Sequence, residues 1–419
     1  GDTAINNAKL SLTVSGSAAD FESGDSTVVT GSSSTKNDSM IITASGEDNA
    51  DTVVTSSSIT NVNSITVVDN GDSTTGTIGA AGVAGSDFTI NLGSYATALT
   101  IDASALDAAW DDNDDGKING SDTSDERLVI VGNASAALTV TGGAGADTVL
   151  ASTKIDTFKT GAGDDIITMG ASLTYEDTID GGAGTDTLNV SSAITDVQFM
   201  NVSNVETLDL TTGAADQAIN LATYFNASGI SKVVLDGGNI SQIKATGTTT
   251  GVTYELTTAA ILEDITAGLG DDLFLVDQAA LLAANDVING GAGTDTIQID
   301  NTHNGGFNNV ISLVDVTNVE KITFKDADGG DTAGSENADP YTITLDSDSG
   351  DYASADSTDE TDYTITVDAS NITDTNDIIT IDASNAADDD FILTAITGAG
   401  PDVIKGGGGA DIITSGGGI

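Results

Sequence analysis

The sequence predicts an all-β protein of tandem β-rich modules with short parallel β-roll or β-helix segments. Three observations carry that expectation. Thr, Val and Ile dominate alternating apolar and polar runs separated by Gly, Asp, Asn and Ser, the pattern of half-buried strands. One strand phrase recurs along the 419 residues, so the chain is an array of related units. Glycine–aspartate blocks with a nine-residue step follow at intervals. With only 4% aromatic residues, each core must be thin and built from Val, Ile, Leu and Ala, which suits stacked or coiled sheets.

The recurring phrase reads Asn61-Val62-Asn63-Ser64-Ile65-Thr66-Val67, Asn204-Val205-Glu206-Thr207-Leu208-Asp209-Leu210 and Asn318-Val319-Glu320-Lys321-Ile322-Thr323-Phe324. Each copy is expected to be one strand, apolar at every second position. A second phrase, Ala98 to Ser104, corresponds to Tyr363 to Ser370, with weaker counterparts at Ala218 to Leu221 and Lys232 to Asp236. The resulting modules are 57–200, 201–314 and 315–419, with 1–56 as the end of a preceding module. Residues 42–53 read as a degraded glycine–aspartate block, and the last residues as the start of another, so the chain is expected to continue at both ends. Helical spacing is rare: Gln278 to Asn285 is the best short helix, and Ser104 to Trp110 a second.

Charge excludes several functions. There are 65 acidic against 11 basic residues, a net charge of −54, and Arg127 is the only arginine. Such a chain lacks the basic footprint that nucleic acid or an anionic lipid surface requires. It has no cysteine, hence no disulfide, thiol chemistry or cysteine metal site. No apolar stretch is long enough for membrane insertion. Disorder is the rival reading at this charge, but the alternating Val, Ile and Leu argue for a packed chain.

The densest chemistry is the phrase G-G-x-G-x-D-x-U-x, with U a large apolar residue. Seven copies are visible, at 142–150, 160–168, 181–189, 267–275, 290–298, 397–405 and 406–414. They form blocks at 142–190, 267–298 and 397–418. The nine-residue step survives where glycines fade: Asp147, Asp156 and Asp165 keep it, as do Asp177 and Asp186, Asp286 and Asp295, and Asp402 and Asp411. Each unit suits a half-turn of a parallel β-roll, with the residue two after each Asp buried. Carboxylate and carbonyl oxygens from stacked turns would then surround a cation, and hard oxygen ligands in flexible geometry select Ca2+. The candidate metal residues are these aspartates and Asp272, with Gly143, Gly145, Gly161, Gly163, Gly182, Gly184, Gly268, Gly270, Gly291, Gly293, Gly398, Gly400, Gly407 and Gly409. The phrase resembles the RTX (repeats-in-toxin) calcium-binding repeat of bacterial proteins exported by type I secretion, which implies several Ca2+ ions per chain.

A second calcium signal spans 111–122. Oxygens of Asp111, Asn113 and Asp115, the Lys117 carbonyl and Asp122 stand at the spacing of an EF-hand loop, with Gly116 for the sharp turn. It resembles a dockerin-type EF-hand loop. From the Asp-Ala-Ser phrase to the Gly-Ala-Gly block is 41 residues in the first module and 30 in the third, so this EF-hand-like loop is expected to be an insertion. Arg127 is expected to pair with its carboxylates.

No enzyme is expected. The only histidine, His303, sits in a polar glycine-rich stretch, and the only tryptophan, Trp110, adjoins the acidic loop. The order of parts is similar to calcium-dependent surface-layer (S-layer) proteins of Gram-negative bacteria and to RTX adhesins, although residues 1–40 and 326–362 carry no diagnostic motif. That resemblance implies an extracellular or cell-surface structural protein that assembles into a layer, filament or matrix. The alternative it implies is the stalk or ligand-binding region of a calcium-stiffened adhesin. The partners implied are further copies of the chain and cell-surface polysaccharide.

Overall fold

In a computed structural model the protein is described over residues 9–15, 29–30, 39–45, 52–55, 59–60, 62–69, 87–93, 95–106, 127–132, 134–210, 217–235, 240–256, 264–276, 287–300, 309–313, 316–325, 340–346, 363–373, 375, 377–386 and 391–417. The EF-hand-like loop, with Asp111, Asn113, Asp115, Lys117 and Asp122, lies outside the described residues. So do Asp286, His303, Trp110 and the expected helix at 278–285.

All described strand pairs are parallel, and within each sheet the strands stack in chain order. Leu138–Thr141 pairs with Thr157–Ala162, while Thr148–Leu150, which lies between them in sequence, pairs with Ile166–Gly170. The chain therefore alternates between two sheets and advances one rung per pair of strands: a parallel β-coil. It is not confined to the glycine–aspartate blocks. Ser39–Ser45, Ser64–Asp69 and Leu99–Asp102 stack in the same way ahead of them.

Contacts divide the chain into two compact units. The first comprises Gly1–Val190, Val197–Leu208 and Ala227–Gly229. Its eight-stranded sheet carries a buried column formed by Met40, Ile65, Ile101, Val140, Phe158, Ile179 and Val202, partners in register from rung to rung. The strands of the other sheet carry Ile90, Ile130, Val149, Ile167 and Leu188 in register. Burial of each such side chain is worth about 1.5–3 kcal/mol, and the column repeats that gain at every rung.

The second unit comprises Ser191–Asp196, Asp209–Asn226 and Ile230–Ile419. One column runs Val233, Tyr254, Phe274, Ile297, Ile322, Val367 and Ala395, with Tyr254 and Phe274 stacked at 5.2 Å between ring centres. Another runs Ile219, Ile243, Ile265, Ile288 and Val316. The one α-helix among the described residues, Thr223–Ser228, was not legible in the sequence: it is too short to show helical periodicity. The side chain of Asp196 caps it, accepting the N–H groups of Ala222, Tyr224 and Phe225. Residues 104–106, the described part of the second expected helix, form a turn end instead.

The recurring phrase needs correcting. Its second and third copies are not single strands. Val202–Ser203 and Thr207–Leu210 are separate strands with residues 204–206 as the corner between them; Val316–Thr317 and Lys321–Lys325 flank residues 318–320 likewise. Asn204 and Asn318 are left-handed, with φ of 52° and 53°, a conformation that asparagine tolerates better than other non-glycine residues. Val205 and Val319 are buried in these corners, three residues before the next buried apolar positions, Leu208 and Ile322.

Candidate calcium centre

The glycine–aspartate corners stack on one another along the coil. Gly161 and Gly182 have φ of +113° and +104°, and a Cβ on either would overlap the carbonyl oxygen of the glycine one rung before, Gly143 or Gly161. Only glycine permits that approach. Gly145, Gly163 and Gly184 form a second such column, and Gly268 with Gly291 and Gly270 with Gly293 repeat both in the second unit. In the last block a Cβ on Gly398, Gly400 or Gly407 would collide with carbonyls of Ile372, Asp377 or Ala386, and Gly409 donates its N–H to Phe391.

The apolar residue two after each Asp is buried at Val149, Phe158, Ile167, Ile179, Leu188, Phe274 and Ile297. Strand alternation then turns the Asp itself inward at the corner. Asp147, Asp156, Asp165, Asp177, Asp186, Asp272 and Asp295 are all at most 1% exposed. Each carboxylate reaches back one rung to a backbone N–H. Oδ1 of Asp147 accepts from Leu128 at 2.6 Å, that of Asp165 from Asp147 at 2.7 Å, and that of Asp186 from Asp165 at 2.8 Å. A parallel series links Leu138 to Asp156 and Asp156 to Asp177, both at 2.7 Å. In the second unit Val252 donates to Asp272 and Asp272 to Asp295, again at 2.7 Å.

The second oxygen divides these aspartates into two groups. Oδ2 of Asp147 accepts from Gly143, that of Asp156 from Ser152, that of Asp177 from Thr174 and that of Asp272 from Gly268. Ser152 and Thr174 add hydroxyl bonds, which replaces the missing glycines of those turns. Oδ2 of Asp165, Asp186 and Asp295 has no hydrogen-bond partner among the described residues; the Thr160 hydroxyl, which acts on the Asp165 carboxyl, donates to the Gly181 carbonyl instead. A buried, unpartnered carboxylate oxygen is expensive to maintain unless something cationic meets it.

Electrostatics agree. Burial pushes the Asp147 carboxyl up to about 7 against the pull of the Leu128 and Gly143 N–H groups. Burial likewise raises Asp165 and Asp295 to about 7 and Asp186 and Asp272 to about 6, with neighbouring carboxylates adding to the rise. These groups accept a proton, or a metal ion, near neutral pH.

The donor set fits calcium. A Cβ on Gly142 would overlap both Asp147 Oδ2 and the Thr160 carbonyl oxygen, so glycine leaves a carboxylate and a carbonyl facing one space. No three His, Cys, Asp or Glu side chains converge among the described residues, so at most two carboxylates would meet one ion and backbone carbonyls or water would complete its shell. Hard oxygens of mixed carboxylate and carbonyl type suit Ca2+.

In the last block Asp402 and Asp411 are half-buried, and accept N–H groups of Ile379 at 3.1 Å and Leu393 at 3.0 Å. They repeat the arrangement in more solvated form. Two residues that sequence reasoning missed belong beside these centres. Glu206 accepts the Asp186 N–H at 2.8 Å, and Glu320 accepts that of Asp295. The repeated Asn-Val-Glu phrase was the signal that could have found them.

A parallel β-coil with inward carboxylates at stacked glycine corners defines a calcium-binding repeat protein. A family model for the RTX calcium-binding nonapeptide repeat matches residues 141–171, 173–192, 281–298 and 394–419. RTX nonapeptide repeats bind multiple Ca2+ ions, and the chain carries such repeats over these stretches. The repeat at 267–275 lies outside them, yet its Asp272 has the geometry of Asp147. Neither the curated proteins nor the solved structures compared with the chain gave a match.

Proposed function

We propose that the protein is a secreted, calcium-dependent structural protein that assembles with further copies of itself into a bacterial surface layer, filament or extracellular matrix. The observation that carries this reading is the set of buried aspartates with unpartnered oxygens inside an otherwise apolar coil. Asp165, Asp186 and Asp295 with facing backbone carbonyls would hold the ions. Bound calcium supplies positive charge where the fold has buried negative charge, coupling metal binding to folding. Before calcium is met, the −54 charge and the raised carboxyls oppose compaction, which suits export of an extended chain. RTX-repeat proteins are typically exported by type I secretion, which supports the extracellular assignment. We read the chain as non-enzymatic, with cell-surface polysaccharide as its anchoring partner.

The test is circular dichroism of the chain in calcium and in chelator. Loss of β-signal in chelator is expected; an unchanged spectrum would sink the proposal. Electron microscopy of the calcium-loaded protein then separates lattices or fibres, which support assembly, from isolated rods, which mark an adhesin stalk.

A further inference from the structure

The corners at 204–206 and 318–320 stand in the same place against two separate glycine–aspartate blocks. In the first, Asp186 carries a fully buried Oδ2 with no hydrogen-bond partner among the described residues. A Cβ on Gly181 would overlap the Asn204 carbonyl oxygen and lie 2.6 Å from that Oδ2. Two oxygens from different rungs thus face a space that glycine alone leaves open. Glu206 brings a carboxylate to the same corner, accepting the Asp186 N–H, while the Glu206 N–H donates back to the Asp186 carbonyl at 3.2 Å. The second unit repeats the arrangement. Asp295 Oδ2 is buried and unpartnered among the described residues, and a Cβ on Gly290 would overlap the Asn318 carbonyl oxygen and lie 2.6 Å from that Oδ2. Glu320 accepts the Asp295 N–H, and its own N–H donates to the Asp295 carbonyl at 3.1 Å.

We propose that each Asn-Val-Glu corner is the second half of a calcium site. Glu206 with the Asn204 carbonyl, and Glu320 with the Asn318 carbonyl, complete the ligand sets begun by Asp186 and Asp295. The reading rests on the calcium dependence proposed above and adds sites that the nonapeptides alone do not contain.

Two features favour a ligand role over a structural one. Capping one N–H needs a single neutral acceptor, which glutamine would supply. A second carboxylate beside a buried aspartate is the unfavourable choice unless a cation lies between them, and the charges of Glu206 and Glu320 do act on Asp186 and Asp295. The left-handed asparagine also has a defined task. Its side chain ties the corner down, Asn204 Nδ2 donating to Asp180 at 2.7 Å and Asn318 Nδ2 to Asn289 at 2.8 Å. The first copy of the phrase is an internal control: Asn63 stands where the others have glutamate, and the Val62 N–H is taken by the Tyr95 hydroxyl. No calcium is expected there.

The experiment is calcium titration of the full chain by equilibrium dialysis and calorimetry, on the unsubstituted protein, Glu206→Gln, Glu320→Gln, the double variant, and Asp165→Asn as a substitution within the glycine–aspartate block, one rung before the Asp186 corner. Each glutamine keeps an acceptor for the aspartate N–H. Each single variant is expected to lose an ion or to bind it about tenfold more weakly, and the double variant to show both losses. Melting in chelator is the second readout. Removing a like charge leaves the calcium-free chain unchanged or more stable, whereas loss of a purely structural cap lowers melting equally with and without calcium. Unchanged binding in both glutamate variants, with Asp165→Asn still impaired, overturns the corner sites and leaves the calcium reading standing. No calcium binding by the unsubstituted chain overturns both.

Discussion

Two kinds of corner close the same coil in the first unit. Around Tyr95 the corner is neutral: the Tyr95 hydroxyl accepts the Val62 N–H at 2.8 Å and donates to the Val62 carbonyl at 2.6 Å, while the Tyr95 N–H donates to the Leu92 carbonyl. At Asp147, Asp165 and Asp186 the same demand for an acceptor is met by a buried carboxylate. A neutral side chain can therefore satisfy a corner of this coil, and the charged corners carry a cost that turning alone does not require. Their raised carboxyls measure that cost. Calcium dependence is then a property of the glycine–aspartate corners, and not of the coil as such.

Removing the metal should break the comparison most sharply. In chelator at pH 8, amide hydrogen exchange is expected to lose protection across 141–192 and 264–300 by orders of magnitude, with Ser64–Asp69 and Leu99–Asp102 keeping more of theirs. Uniform loss over the first unit would show that neutral and charged corners fold as one cooperative unit. Gly161→Ala comes next. Its φ of +113° and the overlap with the Gly143 carbonyl predict a loss of about 3 kcal/mol or more, read from urea unfolding in saturating calcium.

Much of this was legible before any coordinates. The nine-residue step fixes half a coil, so Asp147 and Asp165, eighteen apart, fall on adjacent rungs. The residue two after each Asp was legible as core for the same reason in the first two blocks, whereas in the last block Ile404 is half-buried and Ile413 is 52% exposed. What stayed hidden depends on contacts between rungs. Asp165 and Asp186 are twenty-one apart because the extra residues after Met169 widen one turn, which no fixed period anticipates. The backbone N–H that each carboxylate accepts lies on the previous rung, so nothing in the local sequence announces it. At Asn204 and Asn318 the apolar step lengthens from two residues to three, Val205 to Leu208 and Val319 to Ile322, and that break in the alternation is the local mark of the bend.

Acidity offers a smaller and more diagnostic effect. Asp147, Asp165 and Asp295 stand near 7 in the fold against an ordinary 3.8. A group whose folded value is raised contributes stability that is complete below 3.8 and is lost as pH rises through about 7. The calcium-free chain should thus be more stable at pH 5 than at pH 8, and calcium, which needs the ionised form, should reverse that order. Asp165→Asn keeps an acceptor for the Asp147 N–H while removing one buried charge. It should stabilise the calcium-free chain by on the order of 2–3 kcal/mol at pH 8, do little at pH 4, and weaken calcium binding. Equal stability of the calcium-free chain at pH 5 and pH 8 would mean that these carboxyls are not buried as ionised groups in solution.

The neutral corner gives the smallest effect and the cleanest control. Tyr95→Phe keeps the buried ring but leaves the Val62 N–H and carbonyl, at 1% exposure of that residue, without the hydroxyl that satisfies both. Orphaning buried backbone groups costs about 1–2 kcal/mol here, since the ring still fills its space. Because no carboxylate takes part in those two bonds, the loss should be the same in calcium and in chelator, and at pH 5 and pH 8. Double-mutant comparison with Asp165→Asn should be additive, as expected for corners that share no partner. A Tyr95→Phe loss that grows when calcium is removed would tie the neutral corner to the metal-bound ones and erase the distinction between them.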